Sequence, residues 1–404
     1  MDQQRRFIMF FLLSMGAMYL WLNVGLPFFH PEILEQKAAR QVQKQKQVPG
    51  EAGSSEVAVV QPADTSDIPP VVAPKEIKLP EFPEQTVELG SLDPESGFYL
   101  YVKLNSRGAA VDSIQLNDPR YRELTDRNVP LQLVGESAEL SRKTFDLRTE
   151  AIDRVLAEKG DSLETVNWKI VEQTPLERVV FEYPAPDGSL VIRKIYELKQ
   201  GEKSGRDTDT SGYQLQARLE FQNTSAAAVE MTYDLQGPVG FHLENAENTR
   251  RYLVIQAGFV SGGSIRHEQV LASEISKQAR KKGGVENFQT PLRYLGVDGQ
   301  YFTALLMPET DQEIQKWVDT AQPILVDRAD PEERSEISFI LESTEVDIPP
   351  QQTVSHQYSL YAGPKRAALL RPLDAESTIE YGWFGWISKI MVAYMNFFHN
   401  TMSL

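Results

Sequence analysis

The chain has 404 residues, of which 41% are hydrophobic and 24% charged, enough to bury one large core or two moderate ones. Its formal net charge is −16, which argues against a nucleic-acid partner, because phosphate binding needs clustered Lys and Arg to release counterions. There is no cysteine, so disulfides, thiolate metal sites and a Cys nucleophile are all excluded.

Residues 1–29 read as a transmembrane signal anchor. Phe7 to Phe29 carries no charged residue, and Phe7 to Leu26 supplies the roughly 20 apolar positions a helix needs to cross a bilayer. Phe7, Phe10 and Leu13 sit in the apolar run, Tyr19 and Trp21 fall toward its far end where interfacial aromatics collect, and Leu26 is followed by Pro27. The run is longer than the apolar core of a signal peptide and no small-x-small cleavage triplet follows, so the anchor is expected to stay uncleaved. Lys37, Arg40, Lys44 and Lys46 outnumber Arg5 and Arg6 in a simple count of flanking charge. The segment that follows is far longer than a short loop, however, and long domains translocate largely regardless of charge, so the amino terminus is placed inside.

Residues 30–83 read as a linker. Gln36 to Gln47 is Gln/Lys-rich with almost no apolar stripe, and seven prolines lie between Pro49 and Pro83, which favours extended polyproline stretches. Residues 84–365 then read as one β-rich domain. The clearest strand is Tyr213 to Gln222, in which Leu215, Ala217, Leu219 and Phe221 alternate with Gln, Arg and Glu, the pattern of a half-buried strand. Val191 to Leu198 predicts its hairpin partner across the polar loop 200–212. Phe98 to Leu104, the turn Asn105-Ser106-Arg107-Gly108 and Ala109 to Leu116 predict another hairpin. Helices are expected at Ala151–Lys159, Glu268–Lys282 and Pro308–Trp317. Many strands with few crossover helices predict a mainly β fold, a large antiparallel β-sandwich over one core.

Residues 366–404 read as a connector and an amphipathic helix. From Trp383 to Phe398 nearly every residue is apolar, yet Gly385, Ser388, Lys389, Asn396, His399 and Asn400 fall on one narrow stripe at helical spacing. Sixteen residues at ~1.5 Å reach about 24 Å, short of a ~30 Å hydrocarbon core, so the helix is expected to lie in the membrane interface. Trp383, Phe384, Trp386, Ile387, Ile390, Tyr394 and Phe397 form its buried face. A helix packed into the sandwich core is the alternative. The basic cluster Lys277, Arg280, Lys281 and Lys282 is a candidate contact for anionic lipid or an acidic partner, weighed against a plain solvated helix end.

Four stretches resemble the YidC insertase family in order and approximate spacing. They are Met1-Asp2-Gln3-Gln4-Arg5-Arg6, Leu104-Asn105-Ser106-Arg107-Gly108, and Tyr294-Leu295-Gly296-Val297-Asp298-Gly299-Gln300-Tyr301-Phe302 running to Pro308. The fourth is Leu360-Tyr361-Ala362-Gly363-Pro364-Lys365, followed by Ile379-Glu380-Tyr381-Gly382-Trp383-Phe384. The resemblance implies a β-supersandwich similar in fold to galactose mutarotases, facing the periplasm from a bacterial inner membrane. It also implies partners: the lipid bilayer, the Sec translocon with its accessory subunits, and nascent membrane proteins. In that family the insertase activity resides in five further transmembrane helices around a groove carrying an Arg, which would begin beyond Leu404, so the chain is expected to be the first-transmembrane and periplasmic part.

A mutarotase-like fold invites an enzymatic reading with His242 or His267 as general acid and Glu244 or Glu247 as base. Gly237 to His242 looks like a strand end and turn, and ordinary half-exposed side chains are expected for His242, His267 and His356. No His-Glu-x-x-His, Gly-x-Ser-x-Gly or phosphate-binding loop occurs, so no catalytic residue, metal or cofactor is assigned and the chain is not expected to be an enzyme. A membrane-tethered carbohydrate-binding or mutarotase-like protein stays open as the alternative.

Overall fold

In a computed structural model the described residues are 79–379, except 125, 136–140, 203–204, 244–251, 282–284 and 310–315. All of them fall within one compact unit, Lys75–Leu404. The residues expected to span the membrane (Phe7 to Leu26) or lie at its surface (Trp383 to Phe397), as well as Lys282, Glu244 and Glu247, lie outside the described residues. Among the described residues no helix is long and apolar enough to cross a membrane.

Strands β1 (Thr86–Gly90), β2 (Leu100–Asn105), β3 (Ala110–Leu116) and β4 (Gln132–Val134) make a four-stranded antiparallel sheet in chain order. The predicted hairpin is β2–β3, and Gly108 takes φ +71° at its turn, a left-handed conformation that favours glycine. β5 (Leu147–Arg148) and helix α1 (Glu150–Ala157) follow. Helix α1 forms where Ile152 and Leu156, one turn apart, both bury, and its first turn is tied by Asp153, whose carboxylate accepts from Thr149 N at 2.8 Å.

β6 (Lys169–Thr174), β7 (Arg178–Pro184), β8 (Leu190–Leu198) and β9 (Gln214–Asn223) run as an antiparallel meander. In β9 the odd positions Leu215, Ala217, Leu219 and Phe221 are buried and the even ones half-buried, as alternation predicts. After β10 (Val229–Met231) and β11 (Asp234–Gln236) come β12 (Val254–Ser261), β13 (Ser264–Leu271) and helix α2 (Ala272–Ala279). β14 (Leu292–Asp298), β15 (Phe302–Glu309), β16 (Val318–Asp327), β17 (Glu336–Ser343), β18 (Val346–Ile348) and β19 (Thr353–Pro364) complete the strands, and α3 (Ala367–Leu370) opens the connector.

The largest sheet has nine antiparallel strands in the order β13-β12-β14-β15-β19-β9-β8-β7-β6. A second four-stranded sheet runs β16-β17-β11-β5, and β10 pairs with β18. Side chains from the nine-stranded sheet and from both four-stranded sheets join one hydrophobic core. Within it Tyr196 of β8 donates to Ala109 O at 2.8 Å, and its ring meets Phe145 edge-on at 5.6 Å. Layered antiparallel sheets over a shared core are the mainly β class expected.

Two of the expected helices differ from the structure. Glu268 to Leu271 belongs to β13, paired from Ala257 to Val254, and the helix starts only at Ala272. β13 is an edge strand exposed over most of its length, so it lacks the period-two apolar signal that marks β9. Pro308 and Glu309 likewise close β15 opposite Tyr358 and Gln357, while residues 310–315 of the helix expected there lie outside the described residues.

Candidate functional site

The two longest family-like stretches are adjacent strands. In the register of β15 against β19, Phe302 lies opposite Pro364 and Leu306 opposite Leu360. Between β14 and β15 the chain turns through Gly299-Gln300-Tyr301, closed by Gly299 N donating to Phe302 O at 3.0 Å. Gly296 allows the two strands to close: a Cβ there would lie 2.3 Å from Ala304 O. At the far strand end, Tyr361 donates its hydroxyl to Pro364 O at 2.7 Å, and Lys365 N donates to Tyr301 O at 2.7 Å. The loop Gly299–Tyr301 and the exit of β19 are therefore one structural unit.

This unit and the loop after β3 line an open pocket of about 350 Å³ formed by Tyr121, Tyr301, Phe302, Pro364, Lys365 and Arg366. Tyr121 meets the ring of Phe302 edge-on at 5.1 Å. Tyr301 remains 60% exposed. Lys365 is buried and donates to Asp298 Oδ2 at 2.6 Å and to Gly299 O at 3.0 Å. At the rim Arg120 grips Asp118 in a bidentate pair, Nε to Oδ1 at 3.0 Å and Nη2 to Oδ2 at 2.7 Å, while its Nη1 reaches Asp207 at 2.7 Å. Arg366 donates to the same Asp207 carboxylate. Burial raises the Asp118 carboxyl, but the hydrogen bonds from Arg120 outweigh it and hold the group below the usual carboxylate range.

The turn of the shorter family-like stretch is anchored from inside the core. Lys194 is fully buried on β8 and its ammonium donates to Gly108 O at 2.7 Å and Phe145 O at 2.6 Å, 5.0 Å above the Trp168 ring. Its carboxylate counterpart, Asp146, is itself buried and accepts from Lys143 N at 2.6 Å. Burial pushes the Lys194 ammonium down and the Asp146 carboxyl up, and each charge partly restores the other. On the other side of the turn Ser106 Oγ accepts from Gln85 N at 2.8 Å.

The three weighed histidines fall in three environments. His242 is buried rather than half-exposed, because the Gly237–His242 segment tucks against β4 and its N–H donates to Leu133 O at 3.1 Å. His267 is exposed on edge strand β13, with Nδ1 2.8 Å from Tyr294 Oη. His356 is half-buried in β19, 2.6 Å from Tyr233 Oη and stacked on Trp317 at 5.2 Å, and burial lowers its pKa to about 4. Of the basic cluster, Arg280 is ion-paired to Glu332 at 2.6 Å, while Lys277 and Lys281 are exposed. Among the described residues no group of three His, Asp or Glu side chains could hold a metal.

Asp118, Arg120 and Tyr121 from one loop and Asp207 from another carry no motif, and only the fold brings them to Tyr301 and Arg366. Lys194 offered one signal: a Lys between Ile192 and Tyr196 on the inward-facing side of an otherwise alternating strand.

The architecture is thus that of a layered antiparallel β-domain in which two of the family-like stretches meet at one strand end. The profile of the YidC periplasmic domain matches residues 99–394, and the chain belongs to that family. Among curated proteins it is 25% identical over 314 residues to a membrane protein insertase YidC of Endomicrobium trichonymphae, covering 76% of this chain and 53% of that protein. It is 32% identical over 118 residues to a membrane protein insertase YidC of Pseudoalteromonas atlantica, covering 29% of this chain and 20% of the relative. The chain therefore aligns with about half the length of one of these relatives and a fifth of the other. Among solved structures, a galactose mutarotase related enzyme from Lactobacillus acidophilus superposes with TM-score 0.45 at 9% identity, over 69% of this chain and 97% of that one. A galactose mutarotase-like protein from Lactobacillus casei gives TM-score 0.46 at 7% identity, over 69% and 100%.

Proposed function

We propose that the chain is the first-transmembrane and periplasmic part of a YidC-type insertase that assists insertion and folding of inner-membrane proteins, alone or with the Sec translocon and its accessory subunits. The observation that carries this is the family match over residues 99–394, within which two of the characteristic stretches form adjacent strands of one sheet. In this reading residues 1–29 anchor the chain in the inner membrane with the amino terminus in the cytoplasm. Residues 30–83 give reach, 84–365 are the β-supersandwich in the periplasm, and the segment from Trp383 to Phe398 lies in the membrane interface.

The domain acts by binding, without catalysis. Its acidic charge and paired surface ions suit a soluble face between membrane-bound ends, and the exposed Lys277 on α2 and Lys281 just past its end are a minor contact for lipid headgroups or an acidic partner. Protease added outside spheroplasts digests the β-domain and leaves a membrane-protected amino-terminal fragment. Resistance in spheroplasts combined with digestion after permeabilisation puts the domain on the cytoplasmic side and overturns the assignment.

A further inference from the structure

We propose that the pocket formed by Tyr121, Tyr301, Phe302, Pro364, Lys365 and Arg366 binds an uncharged saccharide, a binding activity beyond the membrane-protein role above. Its volume of about 350 Å³ lies at the lower end of the roughly 300–1,000 Å³ over which pockets hold small molecules. Tyr121, Tyr301 and Phe302 make the lining aromatic, and Tyr301 is 60% exposed as a residue, the aromatic member of the five large apolar side chains exposed among the described residues. A pyranose presents C–H groups on one face that pack on such a ring, while its hydroxyls point outward in the ring plane and need hydrogen-bond partners at the rim.

The rim supplies those partners already oriented. The Arg120 fork is held by Asp118, and Arg120 and Arg366 both hold Asp207, whose side chain remains 55% exposed. Guanidinium N–H groups and a carboxylate fixed against each other give donors and acceptors that lose little freedom when a diol arrives.

Charge selects among ligand classes. Three cations, Lys365, Arg120 and Arg366, meet three carboxylates, Asp298, Asp118 and Asp207, in direct pairs. With as many carboxylates as cations in these pairs, they add no net charge that would draw an anion or a cation. An apolar peptide side chain would fill the floor but strip water from Arg366 and Asp207 without replacing its hydrogen bonds. A polyhydroxyl ring satisfies both surfaces.

The test uses the full chain in a detergent without a sugar headgroup and reads saturation-transfer NMR to four probes: chitobiose, cellobiose, glucuronate, and the neutral peptide acetyl-Leu-Phe-amide. The expected result is saturable transfer to ring C–H groups of at least one disaccharide, half-saturating on the order of 1 mM. That affinity falls at least tenfold in Tyr301→Ala and in Tyr301→Gln, both retaining the parent melting temperature, and is kept in Val171→Ala, an exposed position on β6. Asp207→Asn removes the carboxylate that Arg120 and Arg366 share and leaves Arg366 without a countercharge while Arg120 stays on Asp118, so it weakens the disaccharide and raises the affinity for glucuronate. The proposal is overturned if neither disaccharide binds up to about 50 mM, if binding survives loss of the Tyr301 ring, or if only the peptide binds in a Tyr301-dependent way.

Discussion

Replacing Lys194 by Met tests whether the buried ammonium holds the Asn105–Gly108 turn in place. The substitution keeps most of the chain length and packing over Trp168, but removes the two donors to Gly108 O and Phe145 O at 2.7 and 2.6 Å. Hydrogen bonds from a charged donor contribute about 1.5–3 kcal/mol each, and part of that is returned because the desolvated ammonium is gone. What remains is Asp146, whose Oδ1 has no hydrogen-bond partner and which loses its countercharge. Breaking a buried pair from one side costs about 3–5 kcal/mol, which for a domain of this size lowers the melting temperature by about 6–15 °C. Thermal unfolding followed by near-UV circular dichroism of the chain in detergent reads the shift. The double variant Lys194→Met/Asp146→Asn removes both charges and recovers at least half of the loss. If the single variant melts with the parent, or the double variant is no more stable than the single, the ion-pair argument fails.

His356 makes stability depend on pH. Its imidazole titrates at about 4 in the folded chain against an ordinary value of 6.5, so between those values the unfolded chain binds a proton that the folded chain refuses. Stability therefore falls as pH drops from about 6.5 to 4, by up to about 3 kcal/mol from this group; His356→Asn flattens that part of the curve, and an unchanged urea-unfolding slope against pH counts against the assignment. For the carboxy-terminal segment, Trp386→Asp with Ile390→Asp abolishes vesicle co-sedimentation of a peptide covering residues 379–404, and unchanged binding rules out an interfacial helix. Neutralising Lys281 and Lys282 in the full chain changes lipid association little, whereas a strong loss would move the membrane contact onto the basic stretch that follows α2.

Much of the local structure follows from side-chain order alone. The alternation from Leu215 to Phe221 dictates which face of β9 is buried, because successive side chains of a strand point to opposite sides. The spacing of Ile152 and Leu156 likewise dictates α1. Where that rule has nothing to read, it fails: β13 is bathed on both faces, and its Glu and Gln look equally suited to a helix.

Partner choice is a different matter. β19 lies between β15 and β9, strands nearly 90 residues apart in the chain, and nothing in the period of any one strand encodes that neighbour. The pocket is decided at the same level. Tyr301, Phe302, Pro364 and Lys365 stand within recognisable stretches, but Arg120 and Tyr121 from one loop and Asp207 from another reach them only through the tertiary fold. The sequence by itself determined family, fold class and the faces of the strands, since each depends on interactions a few residues long. The long-range charge pairs, Lys365 with Asp298 and Asp207 with Arg120 and Arg366, were settled only by tertiary structure, because their partners stand 67, 87 and 159 residues apart in the chain.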